Sequence, residues 1–203
     1  MIIVEIENLR RNKIKVVFDE DSYVLNQKLM VDYYLYPGKE MSSEEVVSMV
    51  YKGQYFDAHD KAINYIAYQP RTSFEVRNRL RKEEYDKSVI NSVIGSLIEE
   101  KYIDDKQYAF DYYESYRRKY GVFRIVSNLK GKGINENEIE SVQMEDDEEV
   151  AYDLLLKKYG ENIDEIGFEM KGKISKYLSQ RGFTFGTIKK VVNRYEIEIS
   201  EKF

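Results

Sequence analysis

Apolar and polar residues alternate along the first 25 positions: Val4 and Ile6 precede a polar turn around Arg10 to Asn12, and Ile14, Val16 and Phe18 follow it. A period of two sets those side chains on one face of a hairpin, read here as two or three short strands. A helix is expected from about Asn26 to Tyr34, then a turn at Pro37-Gly38. A second helix opens with Ser42-x-x-Glu45, the capping-box spacing in which each end satisfies an orphan amide of the other. Two strands alone are marginally stable, so this extension must lean on a helical body.

From Ala58 onward the period becomes helical, and the pattern recurs. Leu80, Leu129 and Leu178 are 49 residues apart, as are Val76, Ile125 and Ile174, then Ile90, Ile139 and Ile188, then Val93, Val142 and Val191. One supersecondary unit used three times is the simplest cause. Helices are predicted at 58–68, 73–83 and 87–100 in unit one, 105–120, 122–132 and 136–143 in unit two, and 146–159, 168–181 and 185–197 in unit three. The resulting division is an N-terminal α+β extension over 1–57 and three-helix units over 58–103, 104–144 and 145–203. The fold class is mainly α. Pro70 forces the first break, Thr72-x-x-Glu75 restarts the chain, and Gly121 ends the long helix of unit two.

Each repeated leucine is followed five residues later by Tyr85, Ile134 or Phe183, and then by the capping types Asp86, Asn135 and Thr184. With Gly133 and Gly182 left-handed, Leu129 and Leu178 take the C3 place of a Schellman turn and Ile134 and Phe183 the C″ place, the two positions that touch. Glu84 stands at the glycine position in unit one. A left-handed glutamate there costs on the order of 1 kcal/mol, or the turn relaxes to another form.

Composition narrows the chemistry. The 203 residues are 42% hydrophobic and 34% charged, with a net charge of −5. The absence of cysteine excludes disulfides and thiolate metal sites and fits a reducing compartment. Glu5 and Glu7 interrupt what would be the apolar core of a signal peptide, and no run approaches a membrane span, so a cytoplasmic protein is expected. Tyr108, Tyr112 and Tyr116, at helical spacing, read as core and boundary residues before they read as a base-stacking platform.

The order and spacing of several runs resemble one known family. They are Pro70-Arg71-Thr72-Ser73, then Tyr102-Ile103-Asp104-Asp105 with Tyr108-Ala109, then Gly121, Leu129-Lys130-Gly131-Lys132-Gly133-Ile134 and Leu178-Ser179-Gln180-Arg181-Gly182-Phe183. Over about residues 58 to 195 the chain resembles the RecX family of bacterial recombination regulators, with Glu84 departing from the usual glycine. The resemblance implies a curved array of three units lying along the groove of a RecA filament on DNA and restraining its growth, ATP hydrolysis and strand exchange. It implies no cofactor.

Enzymatic constellations are lacking. Asp104 and Asp105 precede a helix, where N-capping explains them without acid-base work. The run Glu145 to Glu149 suits a helix start and lacks the oxygen spacing of a calcium loop. His59, the sole histidine, has no cysteine to share a zinc ion with. Gly131-x-Gly133 follows a helix, so it does not make a phosphate loop.

Basic residues are the serious candidates. No acid lies between Arg117 and Asn135 or between Lys171 and Arg194. Arg77, Arg81 and Lys82 in unit one, Arg117, Arg118, Arg124, Lys130 and Lys132 in unit two, and Lys173, Lys176, Arg181, Lys189, Lys190 and Arg194 in unit three form the candidate partner-binding set. Many fall on the middle helix of a unit or its exit. The third helices of units one and two carry Glu99, Glu100, Glu136, Glu138 and Glu140, which phosphate would repel, so a helix-turn-helix reader in every unit is disfavoured. A monomeric protein-binding array with auxiliary contact to single- or double-stranded DNA is the expectation, and a DNA-binding module acting alone is the alternative.

Overall fold

The structure is a computed structural model that describes residues 1–160 and 167–200, with side chains to residue 197. The expected third unit reaches residue 203, and its residues 161–166 and 201–203 lie outside the described residues. The chain divides into two compact bodies, Met1–Ile103 and Asp104–Phe203.

In the first body an antiparallel meander, β1 (Ile3–Leu9), β2 (Lys13–Phe18) and β3 (Ser22–Asn26), leads into a short helix α1 (Leu29–Asp32) and then α2 (Ser43–Tyr68). Ile14, Val16 and Phe18 are buried as the alternation predicts, but Val4 points outward. Ile3 pairs with Phe18 and Glu5 with Val17, so Val4 is the extra residue of a bulge and Ile3 takes the inward place. The helix expected at 26–34 shrinks at both ends. Asn26 belongs to β3 and its side chain accepts the Lys28 amide, while Tyr34 turns left-handed at φ 47° and lets the Leu35 amide reach the Met30 carbonyl.

The capping box at Ser42 and Glu45 opens α2, which then runs unbroken through position 58. One helix therefore serves both layers of this body. Its first half packs on the sheet through Val46 and Met49, and Gly53 leaves room for Leu25, whose Cδ2 would stand 2.8 Å from an added Cβ. Its second half, through Ala58 and Ala62, joins α3 (Ser73–Lys82) and α4 (Lys87–Glu99) around Val76, Leu80, Ile90 and Leu97. Gln69, preceding Pro70, is extended as the proline demands, and buried Thr72 restarts the chain with Glu75.

The second body holds α5 (Asp105–Tyr116), α6 (Val122–Gly131) and α7 (Glu136–Ser141), then α8 (Glu148–Tyr159), α9 (Phe168–Gln180) and α10 (Phe185–Ser200). Ile125, Leu129, Ile139 and Val142 build one core, and Ile174, Leu178, Ile188 and Val191 build another from the repeat-equivalent positions.

The Schellman turns form as the spacing predicts. Gly133 and Gly182 have φ 78° and 82°, and the amides of Ile134 and Phe183 reach the carbonyls of Leu129 and Leu178 at 3.1 and 3.3 Å. In unit one Glu84 takes the same conformation at φ 61°, with Tyr85 donating to Leu80 at 3.5 Å, so the turn keeps its form and carries the strain. Lys101 closes α4 in the same manner at φ 60°, which the sequence did not disclose.

Candidate partner-binding surface

Most of the candidate cations already have work inside the chain. Arg77 donates to Asn91, and Arg81 lies 3.4 Å from the Asn78 amide oxygen. Arg117 pairs with Glu114 at 3.0 Å and Glu145 at 2.8 Å, and those carboxylates, Glu114 foremost, raise the affinity of its guanidinium for its proton. Lys130 pairs with Glu136, Lys173 with Glu169, Lys190 with Glu148 and Arg194 with Glu149. Lys132 sits over the Tyr108 ring and Arg181 over Tyr177. Lys82, Arg118, Lys176 and Lys189 are exposed and face no carboxylate among the described residues. Exposed ion pairs of this kind hold by about 0–1 kcal/mol, so a partner's carboxylates can replace them at little cost.

Arg124 differs from the rest. Its guanidinium lies 4.2 Å from the centre of the Tyr120 ring and donates to the Gln180 carbonyl at 2.8 Å, while the Gly121 amide donates to the Arg181 carbonyl at 3.0 Å. The amino end of α6 thus meets the carbonyl end of α9, where opposite partial charges face each other. The backbones approach closely enough to require two glycines. A Cβ on Gly121 would stand 2.3 Å from the Gly182 oxygen, and one on Gly182 would stand 2.2 Å from the Arg124 Cβ. Arg124 is therefore a seam residue between units two and three.

Asp147 completes that seam and was not singled out by the sequence. Gly121 has no side chain with which to cap α6, and the Asp147 carboxylate accepts the Val122 amide at 2.8 Å in its place. Its other oxygen accepts the Thr187 hydroxyl at 3.1 Å, and its own carbonyl accepts the Ala151 amide, so one buried aspartate joins the starts of α6, α8 and α10. Within the run Glu145-Asp146-Asp147-Glu148-Glu149 nothing in residue type distinguishes it. Asp104, by contrast, caps α5 by accepting the Gln107 amide at 2.8 Å, as read.

Beside the seam lies an open cleft of about 420 Å³, lined by Arg117, Arg118, Tyr120, Asp146, Asp147 and Asp153 among others. Of its charged side chains, Glu145 receives Arg117 and Asp147 receives the Val122 amide. His59 stands elsewhere, partly buried beside Tyr55. Tyr108, Tyr112 and Tyr116 on α5 and Tyr120 just beyond it form a ladder, with Asn128 donating to the Tyr112 hydroxyl at 3.0 Å, and are half-buried against the unit-two core. No described helix is long and apolar enough to cross a membrane.

Three-helix units, the second and third of which meet at a glycine crossing, preceded by a small sheet, define a helical repeat protein whose recognisable chemistry lies on its surfaces. Two family models match it, described as the first three-helix domain of RecX over residues 58–97 and the third over residues 145–192. Regulatory protein RecX of Bacillus cytotoxicus is 28% identical over 89% of this chain and 71% of its own length. That of Clostridium acetobutylicum is 27% identical over 93% and 92%. A crystal structure of RecX from Lactobacillus salivarius is similar with a TM-score of 0.62 at 27% identity, over 71% of this chain and 97% of its own. A further crystal structure of regulatory protein RecX, at 20% identity, shares the fold with a TM-score of 0.70 over 95% of this chain. The chain belongs to the RecX family of regulatory proteins.

Proposed function

We propose that this protein is a non-enzymatic, cytoplasmic modulator that docks on RecA filaments assembled on DNA and restrains their growth, ATP hydrolysis and strand exchange. The single observation that carries the reading is its RecX-type repeat, whose middle helices carry cations in all three units, Arg81 and Lys82 on α3, Lys130 on α6, and Lys173 and Lys176 on α9. Units built alike suit a partner built of identical subunits. Of the candidate set, Lys82, Arg118, Lys176 and Lys189 are available without breaking any ion pair among the described residues, and phosphate contact is auxiliary to them. A module that reads DNA alone is disfavoured by the carboxylates on α4 and α7 and by the net charge of −5.

Adding the protein to RecA, single-stranded DNA and ATP should slow hydrolysis at well below one molecule per recombinase subunit. Hydrolysis unchanged at equimolar protein overturns the reading. Tight binding to DNA alone that survives physiological salt would instead establish the stand-alone module.

A further inference from the structure

The outward faces of the middle helices repeat as faithfully as their buried ones. Positions 74, 78 and 81 of α3 correspond at the 49-residue step to 123, 127 and 130 of α6, and to 172, 176 and 179 of α9. Spaced i, i+4, i+7, each trio shares one stripe of its helix. The stripe reads Phe74, Asn78, Arg81 in unit one and Phe123, Ser127, Lys130 in unit two. Phe74 is 41% exposed and Phe123 is 68% exposed. A lone exposed phenylalanine is ordinary and needs no explanation. Recurrence at one repeat position, with a cation seven residues on in both units, is not ordinary, because the cores of these units need neither side chain: Val76 with Leu80, and Ile125 with Leu129, fill the inward positions.

Charge decides what such a stripe fits. α6 contains no carboxylate, and the only one on α3, Glu75, is spent in the capping box with Thr72. Each stripe is apolar at one end and carries its cation about 10 Å further along the axis, at ~1.5 Å per residue, Lys130 standing there in an exposed pair with Glu136 that a partner's carboxylate can replace. One cation per stripe is too few for a polyelectrolyte, whose binding draws on many neutralised phosphates, and the whole chain is acidic. An aromatic anchor beside an arginine or lysine matches instead the residue types that dominate protein interfaces.

We propose that Phe74 with Arg81 and Phe123 with Lys130 are two copies of one docking element. Each seats its phenylalanine in an apolar pocket of a protein partner and sets its cation against a carboxylate beside that pocket. Unit three has Gly172 at the corresponding place and contributes no such anchor. The proposal rests on the filament reading above, since a polymer of identical subunits supplies the same pocket more than once.

The test uses the full chain and fluorescently labelled RecA filaments, formed on single-stranded DNA with a slowly hydrolysed ATP analogue. Unsubstituted protein is titrated first, because its failure to bind would remove the filament reading and this element together. Where it binds, Phe74→Ala and Phe123→Ala should each weaken binding about tenfold, the step of a typical anchor residue, and the double variant by more. Phe185→Ala, equally accessible at 83% exposure but off the stripe, should bind like the parent. All variants should keep the parental melting temperature. A double variant within twofold of the parent, or a Phe185→Ala loss as large as the others, overturns the proposal. An equal loss of affinity for bare single-stranded DNA would assign the stripes to nucleic acid, and a change in sedimentation would assign them to self-association, and either result rejects a filament-docking role.

Discussion

The amide of Val122, the first residue of α6, donates to the Asp147 carboxylate 25 positions along the chain, because Gly121 at the cap cannot carry a side chain of its own. Two constraints meet at that point. Contact between α6 and the end of α9 requires glycine, and glycine leaves the helix start uncapped, so a neighbouring unit supplies the acceptor. Removing the carboxylate by Asp147→Ala strands the Val122 amide, leaves the Thr187 hydroxyl with Thr184 alone, and should cost about 1–3 kcal/mol. Hydrogen exchange should rise in the first turns of α6 and α10. Exchange confined to α8 would show that the carboxylate does not join these helices.

The glycines themselves give opposite expectations from one substitution. Gly121→Ala and Gly182→Ala place a methyl within 2.3 Å of backbone or of the Arg124 Cβ, and position 182 also sits at φ 82°. Overpacking of this kind costs about 1–3 kcal/mol, and the left-handed backbone adds about 1 at position 182. Gly172, inside α9, has nothing within 4 Å of an added Cβ. Gly172→Ala should therefore stabilise by about 0.5–1 kcal/mol. Urea unfolding of the three variants measures all of this, and a neutral Gly121→Ala would refute the close approach.

Glu84 and Lys101 hold left-handed backbones that cost a non-glycine residue about 1 kcal/mol each. Glu84→Gly and Lys101→Gly should each raise stability by up to about 1 kcal/mol, less whatever the freer unfolded chain takes back. Thermal melts that fall for both variants would mean that the side chains contribute more than the strain removes.

How much of this was legible follows from what each feature depends on. The repeat, the helix starts at Ser42, Thr72 and Asn135, and the Schellman glycines are local, and a short window of sequence contains all their partners. The β1 bulge and the four-residue α1 depend on pairing with β2 and on the Asn26 side chain, so a window centred on Val4 or on Leu29 misplaces them. Gly121 reads as the end of the long helix of unit two, but α5 stops at Tyr116 and Gly121 instead starts α6; its closeness to Gly182, 61 positions away in the chain, could not be read. The same holds for Asp147 within an acidic run, and for Arg124, whose sequence neighbours made it look like one more cation on an outward stripe.

That reassignment changes which charges should be reversed to test partner binding. Arg124→Glu would remove the Tyr120 stack and the bond to the Gln180 carbonyl together, so any loss of binding would be confounded with a loosened seam. Lys176 and Lys189 are exposed, lie on α9 and α10, and form no ion pair among the described residues. Lys176→Glu combined with Lys189→Glu should leave the melting temperature and the helical circular dichroism unchanged. It should weaken binding to RecA filaments about tenfold at low salt. The difference from the parent should shrink as salt rises, since exposed charges more than about 10 Å apart are screened at 0.1 M. Binding equal to the parent at every salt concentration would reduce these lysines to a role in solubility and leave the partner surface to the other helices.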